Sequence, residues 1–330
     1  MTAAAPAPAR LVCAVALACG SACVTPAAHV ADAPDVVAGA RMVDVRGAWL
    51  RVHEDDGAAH AEAAPVVFVH GYGSRLESWK LVQPLVAADG RRTVSFDQRG
   101  FGMSERPDGA YGPAAHAADL VALLDALHIE RAVLVGHSYG AGVVLRAALE
   151  HPERVVGIVL VSPFALDEQI TSTLAWARVP VLGEYLFTTS YRDFPGEKYL
   201  TAFAANDRGR FVSVAALDEV QAIQAREGSA YAALATVRGM DYASVEDRYA
   251  SLAVPVTIVW GERDRITPIR TAPLFAQKLP RARLVRVPAC GHMPPWERPD
   301  AVVDAIRALP LVAAPPSAPA SAPHDAEGGP

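Results

Sequence analysis

Three residue types set the chemistry this chain could perform: a serine, a histidine and a carboxylate, each in a stretch that would expose it. In "LVGHSYGAGVVLRAALEHP", Ser138 stands between two glycines where an apolar run gives way to a helical pattern. A serine hydroxyl is nearly inert at neutral pH and becomes a nucleophile only beside a base. "CGHMPPWERPD" offers that base in His292, just after the last strand-like run and in a loop that opens the final helical pattern. A histidine base in turn needs an acid to fix its tautomer and stabilise the imidazolium. "WGERDRITP" supplies Asp264, a few residues beyond the preceding strand pattern. Ser138, His292 and Asp264 are therefore the expected nucleophile, base and acid.

A serine attacking a carbonyl also needs two N–H donors aimed at the developing oxyanion. One is expected from the Tyr139 backbone, directly after the nucleophile. The other is expected from Tyr72 in "VHGYGS", where Gly71 and Gly73 permit unusual backbone angles. His70 in the same stretch shapes the turn and, with Trp176, is a candidate for lining a substrate pocket. The competing groups are weaker. Asp97 in "FDQRGFGMSE" ends a strand pattern, but the glycine-rich turn after it suits a loop-organising carboxylate. Glu262 shares the loop of Asp264 as a rival acid. His137 lies inside the turn and points away from its neighbour. His116, His128 and His151 sit on or beside helical patterns with no acid partner, as surface or capping residues would. This chemistry needs neither metal nor organic cofactor.

The elements that must position these residues alternate along the chain. "RMVDVRGAWLRVHE" suits an antiparallel hairpin around Gly47. "APVVFVHG", "RRTVSFDQRG", "RAVLVGHS", "RVVGIVLVSP", "VPVTIVWGERD" and "ARLVRVPACGH" are further strand-length apolar runs, as expected of strands buried on both faces. Helical patterns fall at Ser78–Ala88, Ala114–Leu127, Gly140–Glu150, Ile269–Lys278 and Pro299–Leu309. Strand alternating with helix predicts an α/β fold, a doubly wound and mostly parallel sheet of eight strands over residues 41–163 and 247–310. Residues 164–246 break the alternation with helical patterns and scattered aromatics, among them Trp176, Tyr185, Phe187, Tyr191, Phe194, Tyr199, Phe203, Phe211 and Tyr231. Roughly eighty residues are too many for a simple crossover, so this insertion is expected to cap the strand ends.

The termini differ from the middle. Residues 1–23 carry one positive charge at Arg10, a short apolar segment and small residues, which suits an export signal. "GSAC" before Val24 resembles a lipoprotein-type processing site, with Cys23 as the expected lipid acceptor and Cys19 as the alternative; an unlipidated secretory signal or a disordered leader is the other reading. An exported protein of a bacterial-type envelope follows, periplasmic, secreted or held at a membrane by its lipid. Residues 24–40 form a tether rich in Ala, Pro and Asp, and 311–330 a Pro/Ala/Ser-rich tail expected to be disordered. Of the four cysteines only Cys290 lies beyond the leader, so no disulfide framework is available there. Apolar residues make up 52% and charged ones 20%, and the net charge of −6 comes with no basic stripe. A large globular core fits these values and a nucleic-acid partner does not.

"HGYGSRLESW", "DQRGFGMSERP", "GHSYGA", "GERDRITP" and "GHMPPWERPD" occur in the order found in the α/β-hydrolase family, and the chain resembles that family over about residues 42–309. It is similar to the capped esterases, C–C hydrolases and cofactor-free haloperoxidases within it. Serine at position 138 departs from the haloalkane dehalogenase and epoxide hydrolase branches, which use aspartate. The resemblance implies hydrolysis of a small or medium acyl substrate, a carboxylic ester first. C–C bond hydrolysis or perhydrolysis on the same three residues is the alternative, and a non-catalytic binding protein of the same fold is a third.

Overall fold

A computed structural model describes residues 37–56, 63–190, 201–204, 211 and 214–309. The expected export signal with Cys19 and Cys23, the expected tether up to residue 36, the expected tail at 311–330, and Tyr191, Phe194 and Tyr199 lie outside the described residues.

Eight strands form one sheet: β1 Arg41–Val45, β2 Ala48–Asp55, β3 Val66–Val69, β4 Thr93–Phe96, β5 Ala132–His137, β6 Val155–Val161, β7 Val256–Gly261 and β8 Arg283–Val287. Their spatial order is β1-β2-β4-β3-β5-β6-β7-β8. The β1–β2 and β2–β4 pairings are antiparallel and the rest parallel, so the sheet has the expected doubly wound, mostly parallel form.

The helices are α1 Gln83–Ala88, α2 Pro113–Ala126, α3 Gly140–Glu150, α4 Ser172–Ala177, α5 Leu182–Ser190, α6 Val214–Gln224, α7 Ser229–Arg238, α8 Ala272–Lys278, α9 Pro294–Glu297 and α10 Pro299–Arg307. Two expected helices are shorter than their patterns. Ser78–Ala88 resolves into a 3₁₀ turn at Leu76–Trp79 followed by α1, and Ile269–Lys278 into a 3₁₀ turn at Ile269–Thr271 followed by α8. Each α segment carries a proline in its first turn, Pro84 or Pro273, and the missing N–H interrupts the ladder there.

Why the central runs are apolar throughout is visible in the packing. Side chains alternate across a strand, so Val67, Val69, Leu134, Ile158 and Leu160 enter one core with α2 and α3. Val66, Phe68, Val133, Val135, Val159 and Val161 enter a second core on the opposite face with Val302 and Ile306 of α10. Each such side chain removed from water contributes about 1.5–3 kcal/mol.

Strand order reverses between β3 and β5, and the loops at the carboxyl ends of strands flanking such a switch point form a crevice suited to ligands. The insertion between β6 and β7 reaches that rim. Tyr72 Oη donates to Ala233 O at 3.1 Å, Arg106 Nε donates to Ser229 Oγ at 2.9 Å, and His292 N donates to Ala202 O at 2.6 Å.

Candidate active site

Ser138 follows the last residue of β5 and immediately precedes Tyr139, the residue that caps α3. Its φ of +52° puts it in the left-handed region, which costs a non-glycine residue about 1–2 kcal/mol. The surroundings hold it there. Ser138 N donates to Val161 O at 2.9 Å, and Ser138 O accepts from Ala141 N at 2.9 Å and Phe164 N at 3.0 Å. The turn is also too tight for side chains beside it: a Cβ on Gly136 would overlap Gly140 O, and one on Gly140 would overlap Val69 O. The glycines of the motif are thus required by close approach. Ser138 sits at the positive end of the α3 dipole, where developing negative charge is favoured.

The acid and base meet behind it. His292 Nδ1 donates to Asp264 Oδ2 at 2.8 Å, with both side chains buried. Asp264 Oδ1 accepts from Ile266 N at 2.8 Å and Thr267 N at 2.9 Å, and Thr267 Oγ1 lies 2.9 Å from Oδ2. Burial alone pushes the Asp264 carboxyl up, but the His292 charge, the His292 hydrogen bond and the Thr267 donors outweigh it and hold the group below the usual carboxylate range. An ionised Asp264 keeps the His292 proton on Nδ1 and leaves the lone pair on Nε2. A bond from Ser138 Oγ to His292 Nε2 is not among the hydrogen bonds of the described residues. His137, the neighbour of Ser138 in the chain, has its ring centroid 4.9 Å from that of His292.

The rival acids are elsewhere. Asp97 is buried under its loop, accepting from Leu76 N and Met103 N at 2.7 Å each and paired with Arg51 Nε at 2.8 Å. Glu262 pairs with Arg286 at 3.0 Å on the surface.

The His292 loop has supports that its residue types did not announce. His137 Nε2 donates to His292 O at 2.8 Å. Glu297 is buried, with Oε1 accepting from Gly291 N at 2.9 Å and Oε2 from Ala204 N at 2.8 Å. One carboxylate therefore fastens the base's loop to the insertion. The signal in the sequence was a glutamate in an otherwise apolar "MPPWE", where a charge has no solvent to face. Cys290 beside it is buried, and burial pushes its thiol up, which suits an inert packing residue.

The loop after β3 runs against the nucleophile: a Cβ on Gly71 would lie 3.1 Å from Ser138 Cβ. Gly71 O accepts from His70 Nδ1 at 2.8 Å and from Ser74 N at 3.1 Å. All peptides among the described residues are trans, so a carbonyl anchored on one side turns the following N–H to the other. The Tyr72 N–H is thereby oriented by the two bonds to Gly71 O, and the Tyr139 N–H by the two bonds to Ser138 O.

Two expectations are corrected. His70 is fully buried and accepts from Gln98 N at Nε2, 3.0 Å. Both its ring nitrogens serve the loop, so it is a loop support and not a pocket group. Trp176 is 61% exposed on α4, next to the buried Ala177. His116 is no surface residue: it is buried between α2 and α3, bonded to Tyr139 Oη at 2.7 Å and Arg99 O at 3.1 Å. Among the described residues, no group of three or more His, Cys, Asp or Glu is placed to hold a metal ion, and no helix is long and apolar enough to cross a membrane.

Known proteins share this fold. A family model described as the alpha/beta hydrolase fold matches residues 64–299. A 2-hydroxymuconate semialdehyde hydrolase of Pseudomonas sp. (strain CF600) is 31% identical over 259 residues, covering 76% of this chain and 86% of the relative. Among solved structures, Est816, titled an N-acyl homoserine lactone degrading enzyme, superposes with a TM-score of 0.65 at 25% identity, over 81% of this chain and 99% of that one. A thermophilic esterase from Thermogutta terrifontis, at 24% identity and a TM-score of 0.67 over 82% of this chain and 97% of that one, shares the fold.

Proposed function

We propose that this chain, which belongs to the α/β-hydrolase fold family, is a serine hydrolase that cleaves a small or medium acyl substrate, a carboxylic ester, through an acyl-enzyme. His292 Nε2 takes the Ser138 proton as Oγ adds to the ester carbonyl, and Asp264 stabilises the imidazolium. The carbonyl oxygen gains the negative charge and is held by the Tyr72 and Tyr139 N–H groups. The tetrahedral species collapses as His292 returns the proton to the leaving alcohol. Water then repeats the cycle on the acyl-enzyme, and the carboxylic acid leaves.

The observation that carries this reading is the buried His292–Asp264 pair at 2.8 Å, on the same rim as a serine held at φ +52° before a helix. A buried carboxylate bonded to histidine has a structural use too, but stability alone does not call for a strained serine beside it. The test is turnover of p-nitrophenyl acetate and butyrate by the wild type and by Ser138→Ala. Turnover lost in the variant supports the reading, and equal turnover in both refutes it.

A second reading has its own support. The Pseudomonas relative is named a 2-hydroxymuconate semialdehyde hydrolase, and the same three residues can hydrolyse a C–C bond next to a carbonyl. A vinylogous diketone consumed much faster than any p-nitrophenyl ester would favour that substrate class over the ester.

A further inference from the structure

The hydroxyl of Tyr139 and the ring of His116 are not used in the steps above, yet both are buried at the site. His116 comes from α2 and Tyr139 from the start of α3. His116 Nε2 lies 3.1 Å from Arg99 O, a carbonyl that can only accept, so Nε2 carries the proton. Nδ1 then accepts from Tyr139 Oη at 2.7 Å. Burial drives His116 down to about 3, in keeping with a neutral ring.

The rings around this bond form a closed circuit. Tyr139 meets His116 at 5.7 Å, His116 meets Phe101 at 6.0 Å, Phe101 meets Tyr72 at 5.6 Å, and Tyr72 meets Tyr139 at 6.3 Å, all edge to face. Two members, Tyr72 and Tyr139, are the residues whose backbone N–H groups hold the oxyanion in the proposed mechanism.

We propose that His116 and Tyr139 are a positioning pair for the oxyanion hole: the phenol held by His116 fixes the rotation of the Tyr139 peptide and its spacing from the Tyr72 peptide. The proposal rests on the serine-hydrolase reading. Neither side chain touches the substrate; they act through the two donors. The strained Ser138 makes such an anchor useful, because its peptide to Tyr139 would otherwise relax toward an ordinary helical entry.

The test compares Tyr139→Phe, His116→Leu, His116→Asn and the double variant His116→Leu/Tyr139→Phe. A p-nitrophenyl ester gives kcat and KM, thermal unfolding gives stability, and a trifluoromethyl ketone probes the hole. Addition of Ser138 Oγ to that ketone forms the O–C bond, moves the carbonyl pair onto oxygen and passes the serine proton to His292. Tyr139→Phe and His116→Leu are expected to lower kcat about tenfold with KM within about twofold, short of the roughly 10²–10³ lost with an oxyanion donor itself. Ketone affinity should weaken by the same factor. His116→Asn keeps an acceptor where Nδ1 stood and should stay within about threefold of wild type.

The double variant separates positioning from mere support. Replacing both partners by apolar groups leaves no buried hydroxyl without a partner, so the melting temperature recovers relative to His116→Leu while kcat and ketone affinity stay low. If kcat recovers with stability, or Tyr139→Phe leaves both kcat and ketone affinity unchanged, the pair is structural only and the proposal fails. A wild type that does not react with a fluorophosphonate would instead overturn the serine-hydrolase reading beneath it.

Discussion

Glu297→Gln is a one-atom change whose cost follows from the bonds around the carboxylate. Oε1 accepts from Gly291 N at 2.9 Å and, more weakly, from Met293 N at 3.3 Å, while Oε2 accepts from Ala204 N at 2.8 Å. A glutamine has one acceptor oxygen. Turned toward Gly291, it sets its NH₂ against the Ala204 N–H; turned the other way, it sets the NH₂ against Gly291. Either way one bond to a charged acceptor is lost, worth about 1.5–3 kcal/mol, and the other falls to the neutral range of about 0.5–1.5 kcal/mol. The sum is a loss of about 3 kcal/mol. Urea unfolding at pH 7, read against wild type, measures it. Because Gly291 and Ala204 flank the His292 N–H bond to Ala202 O, kcat should fall in the same variant. A stability loss under about 1 kcal/mol would show that the carboxylate does not bind the loop to the insertion.

Other changes probe the base more directly. Asp264→Asn removes the acceptor that fixes the His292 tautomer and should lower kcat by about 10⁴ with little change in KM, as seen by steady-state ester hydrolysis. Thr267→Val deletes the hydroxyl that lies 2.9 Å from Asp264 Oδ2 and 3.1 Å from Ser162 O; stopped assays should show kcat down about three- to tenfold, and an unchanged kcat would assign that hydroxyl to Ser162 O alone. His116 supplies the pH test. Its folded value is depressed to about 3 from an ordinary value of about 6.5, so its stabilisation is complete above about pH 6.5 and is lost as pH falls toward 3. In that window the stability advantage of wild type over His116→Asn should shrink by about 1.4 kcal/mol per pH unit; parallel stability–pH profiles would refute a neutral buried imidazole.

The middle of the sheet was legible because burial on both faces leaves runs such as "VVFV" and "AVLV" with no polar residue to confuse the pattern, and β3 and β5 lie where those runs stand. Asp264 and His292 could be picked out because each follows a strand and so is delivered to the same rim. What escaped was the support around them. His116 looked like a surface residue on a helix, since its partners are a phenol and a carbonyl that come close only through packing of α2 on α3. His137 gives no sign in the sequence of its bond to the His292 carbonyl, which depends on a contact between residues far apart in the chain.

The central claim is that Ser138 is the nucleophile, and active-site labelling tests it most directly. Treated with a fluorophosphonate, the wild type should gain the mass of one adduct, located by peptide mapping to the segment containing Ser138, while Ser138→Ala gains none. An unlabelled wild type, or an adduct that persists in Ser138→Ala, would contradict the account.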